Sequence, residues 1–243
     1  MLATRPLSVL VAVATGALFV ANGTASPQTT PPRQQQQQRD RLRQHDPYST
    51  EVDAAVSAEQ EKYLKATTLE NLQTAYDGES NAANRYLAFA KKADQEGYGK
   101  VGSLFRAAAR AEQIHAANHA EVIKTLGAVP KAEIVQPEVK TTKENLEVAI
   151  SGELAERQTM YPAMMVRARQ DGQRQAIRSF NFAMTAEQGH ADLYRKALTN
   201  LESWRGGPVD FFVCTVCGYT VEKIDFRKCP SCFIPAEEYV KVS

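Results

Sequence analysis

Two copies of one short pattern decide the fold: residues 111–115 read AEQIH and residues 186–190 read AEQGH. Each copy holds a glutamate and a histidine three residues apart, and a lone glutamate precedes each pair by about 33 residues. The repeated residues are Glu79, Glu112 and His115 in the first half, and Glu153, Glu187 and His190 in the second half. The second set follows the first by 74 or 75 residues. The chain therefore contains an internal repeat of metal-ligand residue types.

Helix geometry explains the spacing within each copy. Residues three apart lie on the same face of an α-helix, so a Glu and a His at that spacing can bind one target. A single Glu-x-x-His is more often part of a solvated helix surface. Two copies, in register with lone glutamates and inside apolar stretches, instead predict a carboxylate-rich cage for two metal ions. Four antiparallel helices of the ferritin type hold such cages.

The predicted helices agree with such a bundle. They are expected at residues 68–95, at about 101–126, at about 142–170, and from the break at 171–172 to about 204. The connection between the second and third helices is long and contains Pro130 and Pro137, as expected where one crossover is long. Folded structure is predicted to begin near Ser49 or Thr50, with a short amphipathic helix.

The N-terminus predicts export. Arg5 precedes an apolar run at residues 7–20, and small residues follow up to Ala25, so residues 1–25 resemble a Sec-type signal peptide. The run is shorter than the roughly 20 residues of a membrane span, although an uncleaved signal would tether the protein to the membrane. We therefore expect the protein to be exported to the bacterial periplasm. Residues 26–48, rich in Gln, Pro and Arg, are predicted to be a disordered linker.

Charge gives no reason to expect a nucleic-acid partner. The 243-residue chain carries 29 basic and 28 acidic residues, for a net charge of +1. Proteins that bind nucleic acid concentrate basic residues in patches or stripes, and no such patch stands out in this sequence. We therefore expect no nucleic-acid binding.

The four cysteines form two Cys-x-x-Cys pairs near the C-terminus, separated by eleven residues. They are Cys214, Cys217, Cys229 and Cys232. Two such pairs place four thiolates around one tetrahedral ion, either iron or zinc. Two disulfides are the alternative, because an exported protein meets an oxidising compartment. The predicted two-metal cage upstream favours iron, since an iron site can pass single electrons to that cage.

Together these motifs resemble the rubrerythrin family. The resemblance rests on Gly78-Glu79-Ser80, Asn84-Arg85-Tyr86, Glu112-x-x-His115, Gly152-Glu153-x-x-Glu156, Met160-Tyr161-Pro162, Glu187-x-x-His190 and the four cysteines. It covers about residues 65–243. It implies an all-α, four-helix ferritin-like bundle at 49–205, followed by a small, metal-bound, β-rich rubredoxin-like domain at 206–243.

The resemblance also implies residue roles. The six repeated residues would bind two irons, and Glu156 would be an additional ligand that replaces a histidine as one iron moves. Tyr86 and Tyr161 match tyrosines beside the di-iron site, although ordinary aromatic packing explains each alone equally well. His119 matches no family role, and we expect it to face solvent, as we expect for His45.

The implied activity is that of a di-iron peroxidase that reduces hydrogen peroxide to water, in defence against oxidative stress. A rubredoxin-type centre, one iron held by four cysteines, would pass electrons to the di-iron site. Because the two centres are expected to lie far apart within one chain, the family implies a head-to-tail homodimer. Export makes the family's usual NAD(P)H-linked supply doubtful, so the electron donor is unknown. Alternatives are a ferroxidase that binds or stores iron, and an interaction module stabilised by zinc.

Overall fold

The computed structural model describes residues 58–243. The predicted signal peptide, the linker, the start of folding near Ser49 or Thr50, and His45 lie outside these residues. Within them, no helix has both the length and the apolar character needed to span a membrane.

Five α-helices form the bundle, preceded by helical residues 58–65. They are α1 (Thr68–Gln95), α2 (Gly99–Thr125), α3 (Thr142–Ala155), α4 (Tyr161–Gln170) and α5 (Arg174–Thr199). The single third helix predicted at 142–170 is interrupted by a π-helical turn, Glu156–Met160, so α3 and α4 together form the bundle's third rod. The fourth predicted helix ends earlier than expected, and a 3-10 turn, Leu201–Trp204, follows it.

The two helical hairpins cap each other. Both α1 and α3 begin with a capping box, in which a threonine and the glutamate three residues later exchange hydrogen bonds. Each start is capped again from the turn of the other hairpin. Asp171 Oδ2 accepts a hydrogen bond from Thr68 Oγ1 at 2.7 Å, and Glu96 Oε2 accepts one from Thr142 Oγ1 at 2.6 Å. The internal repeat therefore extends to the ends of the helices.

The apolar core consists of two clusters with the predicted ligands between them. Along α1, Ala75 belongs to one cluster and Ala82 to the other, and Glu79 lies between the two. The same order occurs on α5, where Glu187 lies between the two clusters. Because α1, α2, α3 and α5 bring their charged residues to this level, the middle of the bundle is a polar cage enclosed by apolar layers.

A small sheet follows the bundle, as the fold-class prediction required. Its strands are β1 (Phe211–Cys214), β2 (Thr220–Val221) and β3 (Tyr239–Val242), in the order β2-β1-β3 with both pairs antiparallel. Phe211 stacks on Trp204, with ring centroids 6.4 Å apart, and both belong to the same apolar cluster as the bundle. The sheet therefore packs on the bundle that precedes it.

Candidate metal centres

The structure brings the six repeated residues together at the centre of the bundle. Each is at most 1% exposed. Their ligand atoms form two groups of four, with the atoms of each group within 4.8 Å of one another: Glu79, Glu112, His115 and Glu187 in one, and Glu112, Glu153, Glu187 and His190 in the other. Glu112 and Glu187 belong to both groups, so they are placed to bridge two ions.

Among the residues described, the carboxylates of this cage lack some hydrogen-bond partners, and bound cations would take their place. Each of the four glutamates keeps one buried oxygen that has no hydrogen-bond partner in the described structure: Glu79 Oε2, Glu112 Oε1, Glu153 Oε2 and Glu187 Oε1. A buried carboxylate oxygen without a partner is costly. Four of them converging on one point indicate a site that bound cations would complete.

The two histidines are oriented from outside the cage. His115 Nε2 donates to the backbone oxygen of Cys217 at 3.1 Å, and His190 Nε2 lies 3.2 Å from Thr220 Oγ1. Each Nδ1 faces the carboxylates, 2.8 Å from Glu112 Oε2 for His115 and 3.1 Å from a Glu187 oxygen for His190. A histidine held through one ring nitrogen presents the other to a metal in a defined tautomer.

Without cations, the cage retains protons. Burial and neighbouring carboxylates raise the pKa values of Glu79 and Glu187 well above the usual range. Burial opposes a charge on His115, but its hydrogen bond to Glu112 raises its pKa to about 9. Burial likewise opposes the charge of Glu112, but His190 and His115 lower its pKa to about 2. The metal-free cage therefore binds protons where cations would bind.

Glu156, Tyr86 and Tyr161, which the resemblance to the family places at the di-iron site, lie at or beside the cage. Tyr86 donates a 2.7 Å hydrogen bond to Glu153 Oε1, and Tyr161 donates one to Glu79 Oε1. Glu156 begins the π-helical turn and is partly buried, but it belongs to neither ligand group found in the described residues. Burial and the charges of Glu153 and Glu112 raise the pKa of Glu156 to about 8.

The prediction that His119 faces solvent is wrong. Its ring is fully buried, with Nε2 3.2 Å from the Tyr161 hydroxyl and Nδ1 2.7 Å from Ser179 Oγ. Burial lowers the pKa of His119 to about 3, so the ring is neutral. One signal was present in the sequence: His119 lies one helical turn after His115 and therefore shares its inward face. Ser179 carried no such signal.

The four cysteines form the second centre, called the four-cysteine site below. All are free; Cys214, Cys217 and Cys229 are buried, and Cys232 is partly exposed. The Cys214 and Cys232 sulfurs are 3.5 Å apart, and those of Cys217 and Cys229 are 3.6 Å apart. Tetrahedral bonds of about 2.3 Å to one ion separate sulfurs by roughly 3.8 Å, whereas a disulfide separates them by about 2.05 Å. The geometry fits one metal ion and does not form the two disulfides considered above.

The two centres meet within one chain, so the expectation that they lie far apart is wrong. The His115 ring contacts Gly218 as well as the Cys217 carbonyl, and Gly218 has a φ of +74°. A side chain at Gly218 would overlap the His115 ring. Asn118 adds a 2.8 Å hydrogen bond from Nδ2 to the Val216 oxygen. The first cysteine turn therefore packs directly on α2, beside a ligand of the cage.

Comparison with known proteins shows the family of this chain. The family model described as Rubrerythrin matches residues 70–198. The chain belongs to the rubrerythrin family. It is 36% identical to nigerythrin from Nitratidesulfovibrio vulgaris over 73% of this chain and 88% of that protein. It is 33% identical to rubrerythrin-2 from Clostridium acetobutylicum over 72% of this chain and 96% of that protein.

Solved structures support the same rubrerythrin assignment. Nigerythrin in its fully reduced, all-ferrous state matches with a TM-score of 0.68 and 34% identity, over 72% of this chain and 87% of that one. A Desulfovibrio desulfuricans bacterioferritin shares the fold, with a TM-score of 0.51 and 24% identity, over 60% of this chain and 84% of that one. The resemblance read from the sequence is confirmed: this is a rubrerythrin-family protein with a carboxylate and histidine di-iron site and a rubredoxin-like four-cysteine site.

Proposed function

We propose that this rubrerythrin-family protein is a peroxidase that reduces hydrogen peroxide to water with electrons passed from an iron in the four-cysteine site. The observation that carries the proposal is the hydrogen bond from His115 Nε2 to the backbone oxygen of Cys217. It joins a ligand of the di-iron cage to a ligand of the four-cysteine site. Two ferrous ions in the cage would supply one electron each for breaking the O–O bond.

The residues around the cage supply binding and protons. Reduction of one peroxide molecule to two waters takes two electrons and two protons. The partnerless carboxylate oxygens would hold the ions, while Tyr86 and Tyr161 orient Glu153 and Glu79 through hydrogen bonds. Glu156, whose pKa is raised to about 8, holds a proton at neutral pH and can donate it as a general acid.

The donor sets are compatible with iron in both centres. Carboxylate and imidazole ligands suit a redox-active di-iron pair in a helical bundle, and four thiolates suit iron or zinc. Zinc has no redox chemistry, so zinc in the four-cysteine site would stabilise the sheet without passing electrons. The similar nigerythrin structure is all ferrous.

Assembly and location are also proposals. We propose a homodimer, head-to-tail as in the family, in a protein exported to the periplasm that uses an unidentified electron donor there. Support for export comes from residues 1–25, which resemble a signal peptide. Because the four-cysteine site contacts its own bundle, we propose that electrons pass between the two centres within one subunit. Light scattering of the chain from Ser26 would measure the assembly.

The test is peroxide turnover by the iron-loaded protein with a chemical reductant. We expect Glu112→Ala to abolish turnover, because it removes a bridging carboxylate, and Cys214→Ser to stop steady-state reduction. Glu121→Ala, on the exposed side of the same helix, is the matched control and should retain activity. Full activity in both site variants would refute the proposal. Uptake of many irons per chain without peroxide turnover would show a ferroxidase or iron-storage protein instead.

A further inference from the structure

A line of hydrogen bonds leads away from the Glu79 side of the cage, toward the surface of the bundle. Tyr161 donates to Glu79, His119 Nε2 lies 3.2 Å from the Tyr161 oxygen, and Ser179 Oγ lies 2.7 Å from His119 Nδ1. His119 and Tyr161 are fully buried, and Ser179 is 5% exposed. The proposed peroxidase chemistry above assigns no task to His119 or Ser179.

The carboxylate sets the direction of every hydrogen bond in this line. Because Glu79 accepts from the Tyr161 hydroxyl, the Tyr161 oxygen is available to accept from His119 Nε2–H. The neutral His119 ring then has an unprotonated Nδ1, which accepts from the Ser179 hydroxyl. The Ser179 oxygen is left to accept from outside. All donors therefore point inward, toward Glu79.

The outer end of the line opens on a surface cavity of about 310 Å³. Ser179 forms part of its wall, and Val216 from the first cysteine turn forms another part. The remaining lining residues are Asn118, Val122, Gln175, Arg178 and Phe182. This cavity is large enough for several water molecules, and its polar side chains can hold them. Water in it can donate to the Ser179 oxygen.

The internal repeat provides a comparison inside the same molecule. At an offset of 75 residues, Tyr86 corresponds to Tyr161, Tyr194 to His119, and Leu104 to Ser179. The second half thus also has a tyrosine, Tyr86, that donates a hydrogen bond to a cage glutamate, Glu153. However, the Tyr194 hydroxyl is buried without a hydrogen-bond partner in the described residues. Leu104 is fully buried and cannot pass a proton. Of these two matching sets of residues, the one with Tyr161 includes a residue that lines a cavity, Ser179.

We propose that Ser179, His119 and Tyr161 conduct protons from this cavity to the Glu79 side of the di-iron cage. A hydrated proton in the cavity protonates the Ser179 oxygen and leaves water behind, Ser179 passes its own proton to His119 Nδ1, His119 passes its Nε2 proton to Tyr161, and Tyr161 passes its own proton to Glu79 Oε1. One proton enters and one leaves, so no residue keeps a net charge. The inference rests on the proposed function, because peroxide reduction consumes two protons for the two electrons that the irons give.

The first test needs no turnover. In ¹⁵N-labelled protein loaded with diamagnetic zinc in place of iron, NMR of the imidazole nitrogens should show His119 as the neutral tautomer protonated at Nε2. Ser179→Ala should shift the Nδ1 resonance, because it removes the donor to that atom. A ring protonated at Nδ1, or charged, would overturn the proposal. The tautomer is measured without turnover, so a wild-type protein that is inert to peroxide would overturn the proposed function and leave the direction of the hydrogen bonds established.

The second test measures proton delivery in the iron-loaded protein. His119→Gln keeps a donor for Tyr161 and an acceptor for Ser179, but an amide does not relay protons. Single-turnover oxidation of the reduced protein by peroxide should slow at least about tenfold, with a larger solvent deuterium isotope effect. Imidazole should restore the rate in His119→Gly. Tyr194→Phe, the matched variant in the other half, should keep the wild-type rate.

Equal iron content in all variants is checked first. Ser179→Thr, which keeps the hydroxyl, should behave as wild type, whereas Ser179→Ala should slow oxidation. An unchanged rate and an unchanged isotope effect in His119→Gln would overturn the proposal. A slower His119→Gln without a larger isotope effect, and without imidazole rescue of His119→Gly, would also overturn it, because that pattern belongs to a packing defect.

Discussion

Replacing Gly218 with alanine tests the contact between the two centres. Gly218 has a φ of +74°, and a β-carbon there would overlap the His115 ring. Gly172, in the turn between α4 and α5, has a similar φ of +70° but open space around its position. Both substitutions therefore share the backbone strain, and only Gly218→Ala adds the overlap. The pair isolates the contact with His115.

The expected loss of stability follows from the hydrogen bonds that the overlap would break. A left-handed backbone costs a residue with a β-carbon roughly 1–2 kcal/mol, and this cost applies to both variants. Three hydrogen bonds join the first cysteine turn and the strand after it to the bundle: His115 to Cys217, Asn118 to Val216, and His190 to Thr220. At about 1 kcal/mol each, they stabilise the docked position by roughly 3 kcal/mol. Their loss lowers the ratio of docked to undocked protein roughly hundredfold.

Stopped-flow spectroscopy of the iron-loaded protein provides the assay. The reduced di-iron site is oxidised with a limited amount of peroxide, and the loss of electrons from the four-cysteine site is followed in the visible spectrum. We expect Gly218→Ala to slow this internal transfer by about tenfold or more, because less of the protein is docked. Gly172→Ala should keep the wild-type rate and lose only thermal stability. Equal rates in the two variants, at equal iron content, would refute the direct contact.

Three further predictions concern binding and stability. Metal affinity of the cage should rise as the pH rises through about 9, because cations displace the proton from His115, whose pKa is about 9; chelator competition that gives a flat profile would contradict this. Cys214→Ser should remove one iron and leave the bundle's irons and helix content unchanged by metal analysis and circular dichroism; loss of all the iron would count against separate centres. Glu96→Ala should lower the melting temperature by roughly 2–4 °C, because the cap on α3 contributes about 1 kcal/mol, whereas exposed Glu147→Ala on the same helix should not.

Much of the helical bundle was predictable because the sequence signals for its helices act over only a few residues. The predicted first helix has the bounds of α1, since the capping box at its start and the glycines after its end act within a few residues. The ligand set was predictable because helical period converts spacing into a shared face. The same rule, applied to His119, would have predicted its burial. The π-helical turn at Glu156 was not predictable, because it depends on packing around the cage.

The sequence by itself determined the repeated ligands, the two cysteine turns and the class of the fold, because each depends on short spacings and helical period. Only the tertiary structure decided which residues touch across long separations. Cys217 meets His115 across 102 residues, and Ser179 meets His119 across 60 residues. Such contacts depend on how helices and strands pack together, and packing is a property of the whole core rather than of any one stretch. The contact between the two centres and the proposed proton route both depend on such packing.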